Sequence, residues 1–286
     1  MAFNWSTFRT RALTAIVFVA VMAAGLFWNR WSFVALFTLV HFGAWREYRK
    51  LVGVFQPSFP RDHPALRFGI PLGGWCILLY FTQGGLNTGS LDLPASALWA
   101  GAALLLVSPL GLLTRPMALG YALGGLLYIS LPLALLVDLR CRDFGAAAAA
   151  TGADLNLVLP LLVVFSIWIN DTMAYIVGSL IGKTPLSPIS PKKTWEGTVG
   201  GALLAVAVMS AIAYFSGLLP VGHTAAISAI AAVTGTYGDL FESKLKRMAG
   251  VKDSGSFMPG HGGFLDRFDS LLFAATAVWV YVVLLF

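Results

Sequence analysis

Asn156–Leu180 reads NLVLPLLVVFSIWINDTMAYIVGSL, and this stretch decides the class of fold. It contains one charged residue, Asp171. It is also long enough to cross the roughly 30 Å of bilayer hydrocarbon, which takes about 20 largely apolar residues. Backbone amides in hydrocarbon must be satisfied within their own segment, so an uninterrupted run of this kind is a helix rather than a barrel strand. No period-two alternation argues otherwise. Working outward between charges and Gly/Pro punctuation, eight further runs are found. They are Ala12–Trp28, Trp31–Trp45, Phe68–Thr82, Ala95–Leu113, Met117–Val137, Thr198–Leu219, Thr224–Leu240 and Ser270–Phe286. Phe68–Thr82 is short and Ala95–Leu113 contains Ser108-Pro109, so these two are the least sharply bounded. The expected fold is an all-α, polytopic membrane bundle of about nine transmembrane helices. About five spans fall in residues 1–155, and residues 156–286 carry the remaining spans with polar loops at 182–197 and 241–269.

Composition excludes the alternatives. Of 286 residues, 58% are hydrophobic and 11% charged, whereas a soluble domain has roughly a quarter charged. The apolar content excludes a disordered chain. Two cysteines, Cys76 and Cys141, are too few for a disulfide-stapled secreted fold and lack metal-like spacing. Lys and Arg set the expected orientation: with the N-terminus in the cytoplasm, 16 of the 19 lie on the cytoplasmic side and 3 opposite, as the positive-inside rule requires. The C-terminus is then outside. Arg9 and Arg11 could begin a signal peptide, but the apolar run continues through Trp28 with no small-x-small cleavage site, so a retained first helix is expected. The net charge of +6 needs no nucleic acid, because cytoplasmic Lys and Arg face anionic lipid. No internal repeat of the inverted-transporter kind is found.

The charge is concentrated. Ten of 32 charged residues lie in the 31 positions from Asp239 to Asp269: the acids Asp239, Glu242, Asp253, Asp266 and Asp269, and the bases Lys244, Lys246, Arg247, Lys252 and Arg267. In the expected topology Gly182–Gly197, GKTPLSPISPKKTWEG, shares their side of the membrane, and Asn170-Asp171 interrupts the apolar run just before it. Asp239 and Ser243, four apart, share a helical face, as do Asp266 and Asp269, three apart. A carboxylate at membrane depth costs on the order of 2.5–3.5 kcal/mol, and gathering several adds repulsion unless a cation is present. Mg²⁺ prefers a few carboxylate oxygens plus water and substrate phosphate, so the acids read as a Mg²⁺ site at the cytoplasmic membrane surface. Asp266 and Asp269 also suit a helix start, where the dipole favours acids, with Arg267 and Lys252 as their ion-pair partners.

The bases stand where the positive-inside rule would put lysines in any case. Their interleaving with acids and with Met258-Pro-Gly-His-Gly-Gly263 says more. Three glycines within four residues adopt backbone angles closed to other residues and can aim N–H groups at an anion. Cations, glycine-rich backbone and a divalent metal describe phosphate handling, where the protein mainly supplies position and charge neutralisation. His261 reads either as a general base or metal ligand, or as a loop-ordering hydrogen-bonder. Lys192-Lys193 could hold a lipid phosphate or a nucleoside triphosphate, or serve only as a positive-inside marker. Asn170-Asp171 is a functional candidate because ionisable groups are costly within a membrane.

Ser243–Asp269, SKLKRMAGVKDSGSFMPGHGGFLDRFD, resembles the signature of phosphatidate cytidylyltransferases (CDP-diacylglycerol synthases). Gly238–Ser243, Asn170–Tyr175 and Ser187–Gly197 are also similar to that family. The motif-bearing resemblance covers about the C-terminal 40% of the chain, and the first 155 residues match only as generic spans. Met258 stands where Leu, Ile or Phe is commoner, and Met173 where a small residue is commoner; both are packing positions that bear on pocket shape. The resemblance implies that CTP and phosphatidic acid give CDP-diacylglycerol and pyrophosphate, the lipid phosphate oxygen attacking the α-phosphorus of CTP. It implies Asp239, Asp266 and Asp269 as the metal acids holding Mg²⁺, with a second, monovalent cation such as K⁺ nearby. Lys252, Arg267, Lys246 and Arg247 would neutralise phosphates, and His261 and Asp253 are motif members without an individual role. Ser243, Asn170, Asp171, Lys192, Lys193, Gly262 and Gly263 are the further substrate-binding candidates. An anionic nucleophile needs no strong general base, in keeping with the lack of a Ser/His or Cys/His constellation. The expected setting is the inner cell membrane with the site facing the cytoplasm; the expected partners are CTP, phosphatidic acid, the bilayer and a second copy in a homodimer.

Two other classes remain open on sequence. A polyprenol or phytol kinase would transfer a γ-phosphoryl group to an alcohol. A cation-coupled transporter could use Asp171 and Asp239, although it would spread polar residues through mid-bilayer where this chain crowds them to one face. CDP-alcohol phosphotransferases are disfavoured, since no Asp-x-x-Asp-Gly followed by Ala-Arg occurs at their spacing.

Overall fold

The apolar runs form helices because nothing else satisfies their backbones. A computed structural model describes residues 5–57, 59, 63–82, 95–110, 112, 113, 115–257 and 262–286. Its helices are α1 (Trp5–Phe27), α2 (Arg30–Phe55), α3 (Ile70–Tyr80), α4 (Ala95–Leu110), α5 (Pro116–Gly125), α6 (Leu131–Cys141), α7 (Gly145–Thr151), α8 (Leu155–Ile181), α9 (Trp195–Ser216), α10 (Val221–Met248) and α11 (Leu265–Leu285). π-Helical turns at Ala65–Gly69 and Leu126–Ser130 lead into α3 and join α5 to α6. A two-stranded antiparallel hairpin, β1 (Pro185–Ser187) and β2 (Ser190–Thr194), precedes α9. Among the described residues, four helices are long and apolar enough to cross a membrane: Pro116–Cys141, Leu155–Ile181, Trp195–Ser216 and Leu265–Leu285. Ala12–Phe27 and Ala65–Tyr80 are apolar but shorter.

α2 and α10 mix both characters: α2 carries the charged stretch Arg46–Lys50 before an apolar last turn, and α10 runs from an apolar stretch into a charged C-terminal end. α10 continues past Leu240, so 241–248, expected as loop, is helical, and so is 265–269 at the start of α11. The reason is local. No Gly or Pro occurs between Leu240 and Gly250, and Lys246 and Arg247 favour the negative end of the helix dipole. Gly250 then takes φ +68°, with Val251 N donating to Lys246 O and Gly250 N to Arg247 O, both at 3.0 Å. This is a Schellman ending, which requires the left-handed region that glycine enters freely. The described parts of the connection proper are 249–257 and 262–264.

The chain forms two compact units that cut across sequence order. One comprises the described residues through Val137 with Leu245–Phe268; the other comprises Asp138–Lys244 with Asp269–Phe286. In the first unit, Phe33, Phe37 and Trp45 of α2 are buried. Ser130 Oγ accepts from Trp45 Nε1 at 2.9 Å and lies 2.9 Å from His41 Nε2, tying α2 to the second π-turn. In the second unit, α8 and α9 meet along a glycine seam: a Cβ on Gly201 would lie 2.7 Å from Asn170 O, and one on Gly197 2.9 Å from Gly178 Cα. Small residues allow this backbone approach between membrane-type helices, where dispersion replaces the hydrophobic effect as the packing force. Trp279 Nε1 and Arg142 Nε both donate to Asp138 Oδ2, at 2.6 and 2.8 Å.

Candidate active site

In the second unit, glycines again decide which side chains meet. A Cβ on Gly238 would collide with Asp269 O, and one on Gly235 would sit 3.4 Å from Ser270 Cβ, so α10 approaches α11 closely here. Helical spacing puts Asp239 and Glu242, three apart, on one face of α10. Asp239, Glu242 and Asp269 each offer a carboxylate oxygen within 4.8 Å of the others. Glu242 is fully buried, Asp269 is 9% exposed, and Asp239 is half-buried. Ser270 N donates to Asp269 Oδ1 at 2.7 Å, and Ser243 Oγ lies 3.5 Å from Asp239 Oδ1.

The hairpin brings in positive charge. Thr194 Oγ1 accepts from Gly197 N at 3.1 Å, capping α9. Glu196 accepts from Lys183 N and Thr184 N at 3.2 and 3.1 Å, holding the base of the hairpin to the same helix start. Lys193, on β2, forms an ion pair with Asp239, and its charge also acts on Asp171 and Asp269. Asn170 Nδ2 donates to Asp171 Oδ1 at 3.2 Å. Two unit charges about 4 Å apart interact by roughly 4 kcal/mol at an effective dielectric of 20. Three carboxylates around one lysine therefore attract further positive charge. Three hard oxygen ligands with a half-open edge match a hard divalent cation that keeps waters and phosphate oxygens.

In the first unit, a different pair of carboxylates organises the 249–264 connection. Asp266 Oδ1 accepts from Lys246 Nζ at 2.7 Å. Its Oδ2 accepts from Ser254 N at 2.8 Å, Ser254 Oγ at 2.9 Å and Gly263 N at 2.8 Å. Gly262, at φ +84°, leaves no room for a Cβ beside that same oxygen. Glu47 of α2, 5% exposed, accepts from Ser254 Oγ at 2.8 Å and from Phe264 N and Leu265 N at 3.0 Å each. A carboxylate thus caps the start of α11 from a distant helix, where the dipole favours it. Gly255 and Gly263 pack against the Glu47 carboxylate where a Cβ would clash.

The structure therefore divides the expected residues. Asp239, Asp269, Lys193, Ser243, Asn170 and Asp171 belong to the second unit; Lys246, Asp266, Gly262 and Gly263 to the first. Asp266, expected as a metal ligand, is absent from the three-acid group and spends both oxygens on Lys246 and the loop. Arg247 Nη1 donates to Val251 O at 3.2 Å, and Lys192, Lys252, Asp253 and Arg267 are exposed. His261 lies outside the described residues. Two acids were not singled out from sequence. Glu242 was legible through its three-residue spacing from Asp239. Glu47 carries no local signal, since its partner Ser254 is 207 positions away.

Long apolar helices, with three acids meeting beside the lysine of a hairpin, define a helical protein of membrane type. The family model described as the cytidylyltransferase family matches residues 9–285, and the chain belongs to that family. Among curated proteins it is similar to the phosphatidate cytidylyltransferase of Thermotoga maritima, 40% identical over 172 residues, 54% of this chain and 56% of that one. It is similar to phosphatidate cytidylyltransferase 4, chloroplastic, of Arabidopsis thaliana, 37% identical over 175 residues, 55% of this chain and 44% of that one. The enzyme of that name from Synechocystis sp. is 47% identical over 133 residues, 46% of this chain and 45% of that one. The chain thus spans about half the length of the curated relatives it matches.

Proposed function

We propose that this protein is a membrane nucleotidyltransferase that condenses CTP with phosphatidic acid to give CDP-diacylglycerol and pyrophosphate. The observation that carries the reading is the meeting of Asp239, Glu242 and Asp269 beside Lys193 in a chain of the cytidylyltransferase family. In this reading Asp239, Glu242 and Asp269 hold Mg²⁺, which would neutralise triphosphate charge and polarise the α-phosphorus. Lys193 offsets the acids and faces the phosphates. Lys246 pairs with Asp266, which holds Ser254 and Gly263, and the exposed Lys252 and Arg267 are the proposed phosphate-neutralising cations of this segment. The lipid phosphate attacks in its anionic form, so no residue need remove a proton from it. A monovalent cation such as K⁺ beside Mg²⁺ remains part of the proposal.

The arrangement in the membrane is likewise proposed: nine spans, N-terminus in the cytoplasm, C-terminus outside and the site facing the cytoplasm of a cell membrane. The distribution of Lys and Arg, 16 against 3, supports it. A homodimer completes the reading, and particle mass in lipid nanodiscs tests it. The activity is tested with CTP labelled at the α-phosphate, supplied to purified protein with phosphatidic acid. Label passes into lipid, chelation by EDTA stops it and Mg²⁺ restores it. Label entering lipid only from the γ-phosphate identifies a kinase, and activity indifferent to EDTA removes the metal from the account.

A further inference from the structure

The exposed stripe of α2 is chemically graded along its length. Leu39, Phe42, Arg46 and Lys50 follow one another at three- and four-residue steps, so they share a helical face. Opposite them stand Gly255 and Phe257 of the 249–264 connection, enclosing a cleft of about 500 Å³. Phe257 is 56% exposed and lies on Phe264 with ring centroids 4.2 Å apart. Gly43 makes the cleft possible, because a Cβ there would strike the Phe264 ring. A second crevice, about 250 Å³ and almost wholly apolar, lies between α1 and α2, lined by Val17, Phe18, Val21 and Leu36 among others. The two hollows share Leu39, Phe257 and Phe264, so they form one track. At 1.5 Å per residue, Lys50 to Leu36 spans roughly 21 Å along α2.

One end of the track carries two cations, Arg46 and Lys50, with the Glu47 carboxylate also in its lining, and the other is hydrocarbon-like. Neither Arg46 nor Lys50 forms an ion pair with a carboxylate among the described residues. The nearest acid in sequence, Glu47, turns its oxygens to Ser254 Oγ, Phe264 N and Leu265 N instead. Two cations one helical turn apart suit the dianionic head of a phosphomonoester, and the apolar crevice suits an acyl chain. We propose that this track is the binding site for the lipid substrate, an anionic phosphomonoester lipid, with its phosphate against Arg46 and Lys50 and an acyl chain running past Phe257 into the α1–α2 crevice. The proposal rests on the reading of phosphatidic acid as substrate and adds where that lipid docks.

The test uses the full chain in nanodiscs of phosphatidylcholine with a phosphatidic acid carrying a photoreactive diazirine in one acyl chain. Crosslinks are expected on peptides bearing Val17–Met22, Leu36–Phe42 and Phe257. Unlabelled phosphatidic acid should compete, and neither phosphatidylcholine nor inorganic phosphate should. In the double variant Arg46→Gln/Lys50→Gln, labelling should fall about tenfold and KM for phosphatidic acid rise about tenfold, with KM for CTP within twofold. Arg46→Lys/Lys50→Arg should restore both. Unchanged labelling and KM in the glutamine variant overturn the proposal, as do crosslinks confined to other helices. Equal competition by inorganic phosphate overturns it too, by assigning the cations to free phosphate. Labelling at the track by a protein that makes no CDP-diacylglycerol supports the docking site while refuting the activity on which it was first argued.

Discussion

Glu47→Ala leaves two buried backbone donors, Phe264 N and Leu265 N, without their acceptor. The third donor, Ser254 Oγ, keeps a partner because it also lies 2.9 Å from Asp266 Oδ2. Each orphaned buried donor costs about 1–3 kcal/mol, and losing a carboxylate from a helix start adds about 0.3–1 kcal/mol. Relief of burying the Glu47 charge offsets part of this, so about 3 kcal/mol is expected. At about 1.4 kcal/mol per factor of ten, local opening of the loop and the first turn of α11 becomes roughly 10²-fold more frequent. Glu47→Gln keeps one acceptor and turns an N–H₂ toward the other donor, for about half that effect. Hydrogen exchange followed by mass spectrometry reads this directly: peptides covering 250–257 and 262–270 should exchange faster in the order wild type, glutamine, alanine. Peptides from the middle of α8 should not change, and CTP-dependent turnover should fall in the same order. Exchange of 262–270 within threefold of wild type in Glu47→Ala would refute the capping argument, because an unaltered α11 start means the two N–H groups do not depend on Glu47.

The two carboxylate groups should separate under mutation. Asp239→Asn should lower turnover by about 10²–10³, the scale of losing one preorganised electrostatic contact, with partial recovery at raised Mg²⁺ and no change in loop exchange. Asp266→Asn should instead speed exchange across 250–263 and gain little from Mg²⁺; the same Mg²⁺ recovery in both, with loop exchange unmoved, would return Asp266 to the metal. Gly238→Ala places a methyl group against Asp269 O; overpacking of about 1–3 kcal/mol should part α10 from α11 and raise the Mg²⁺ concentration for half-maximal turnover. Gly222→Ala, on the same helix with open space around its Cβ, is the control and should leave that concentration unchanged.

Glycine was read from sequence as punctuation and as phosphate-binding loop, and the second unit gives it another use. Gly197 and Gly201 set the α8–α9 seam, and Gly238 sets the approach of α10 to Asp269. Nothing in a single sequence marks a helical glycine as a contact point, because the contact is made by a partner distant in the chain. The loop bounds show the same limit. Reading charge as loop ended the eighth run at Leu240, yet charged residues are good helix formers, and the true stop is Gly250.

Run length, charge and the placement of Lys and Arg are properties of the chain itself. From them alone come the apolar helices, the membrane class and the concentration of acids and bases between Asp239 and Asp269, because lipid allows an apolar segment no other satisfied backbone. Which carboxylates face one another was decided only by packing. Glu242 joins Asp239 and Asp269, Asp266 turns to Lys246 and the loop, and Glu47 reaches Ser254 across 207 positions. Such pairings depend on where backbones approach and where a buried charge finds donors, and both are set by contacts that sequence spacing does not encode.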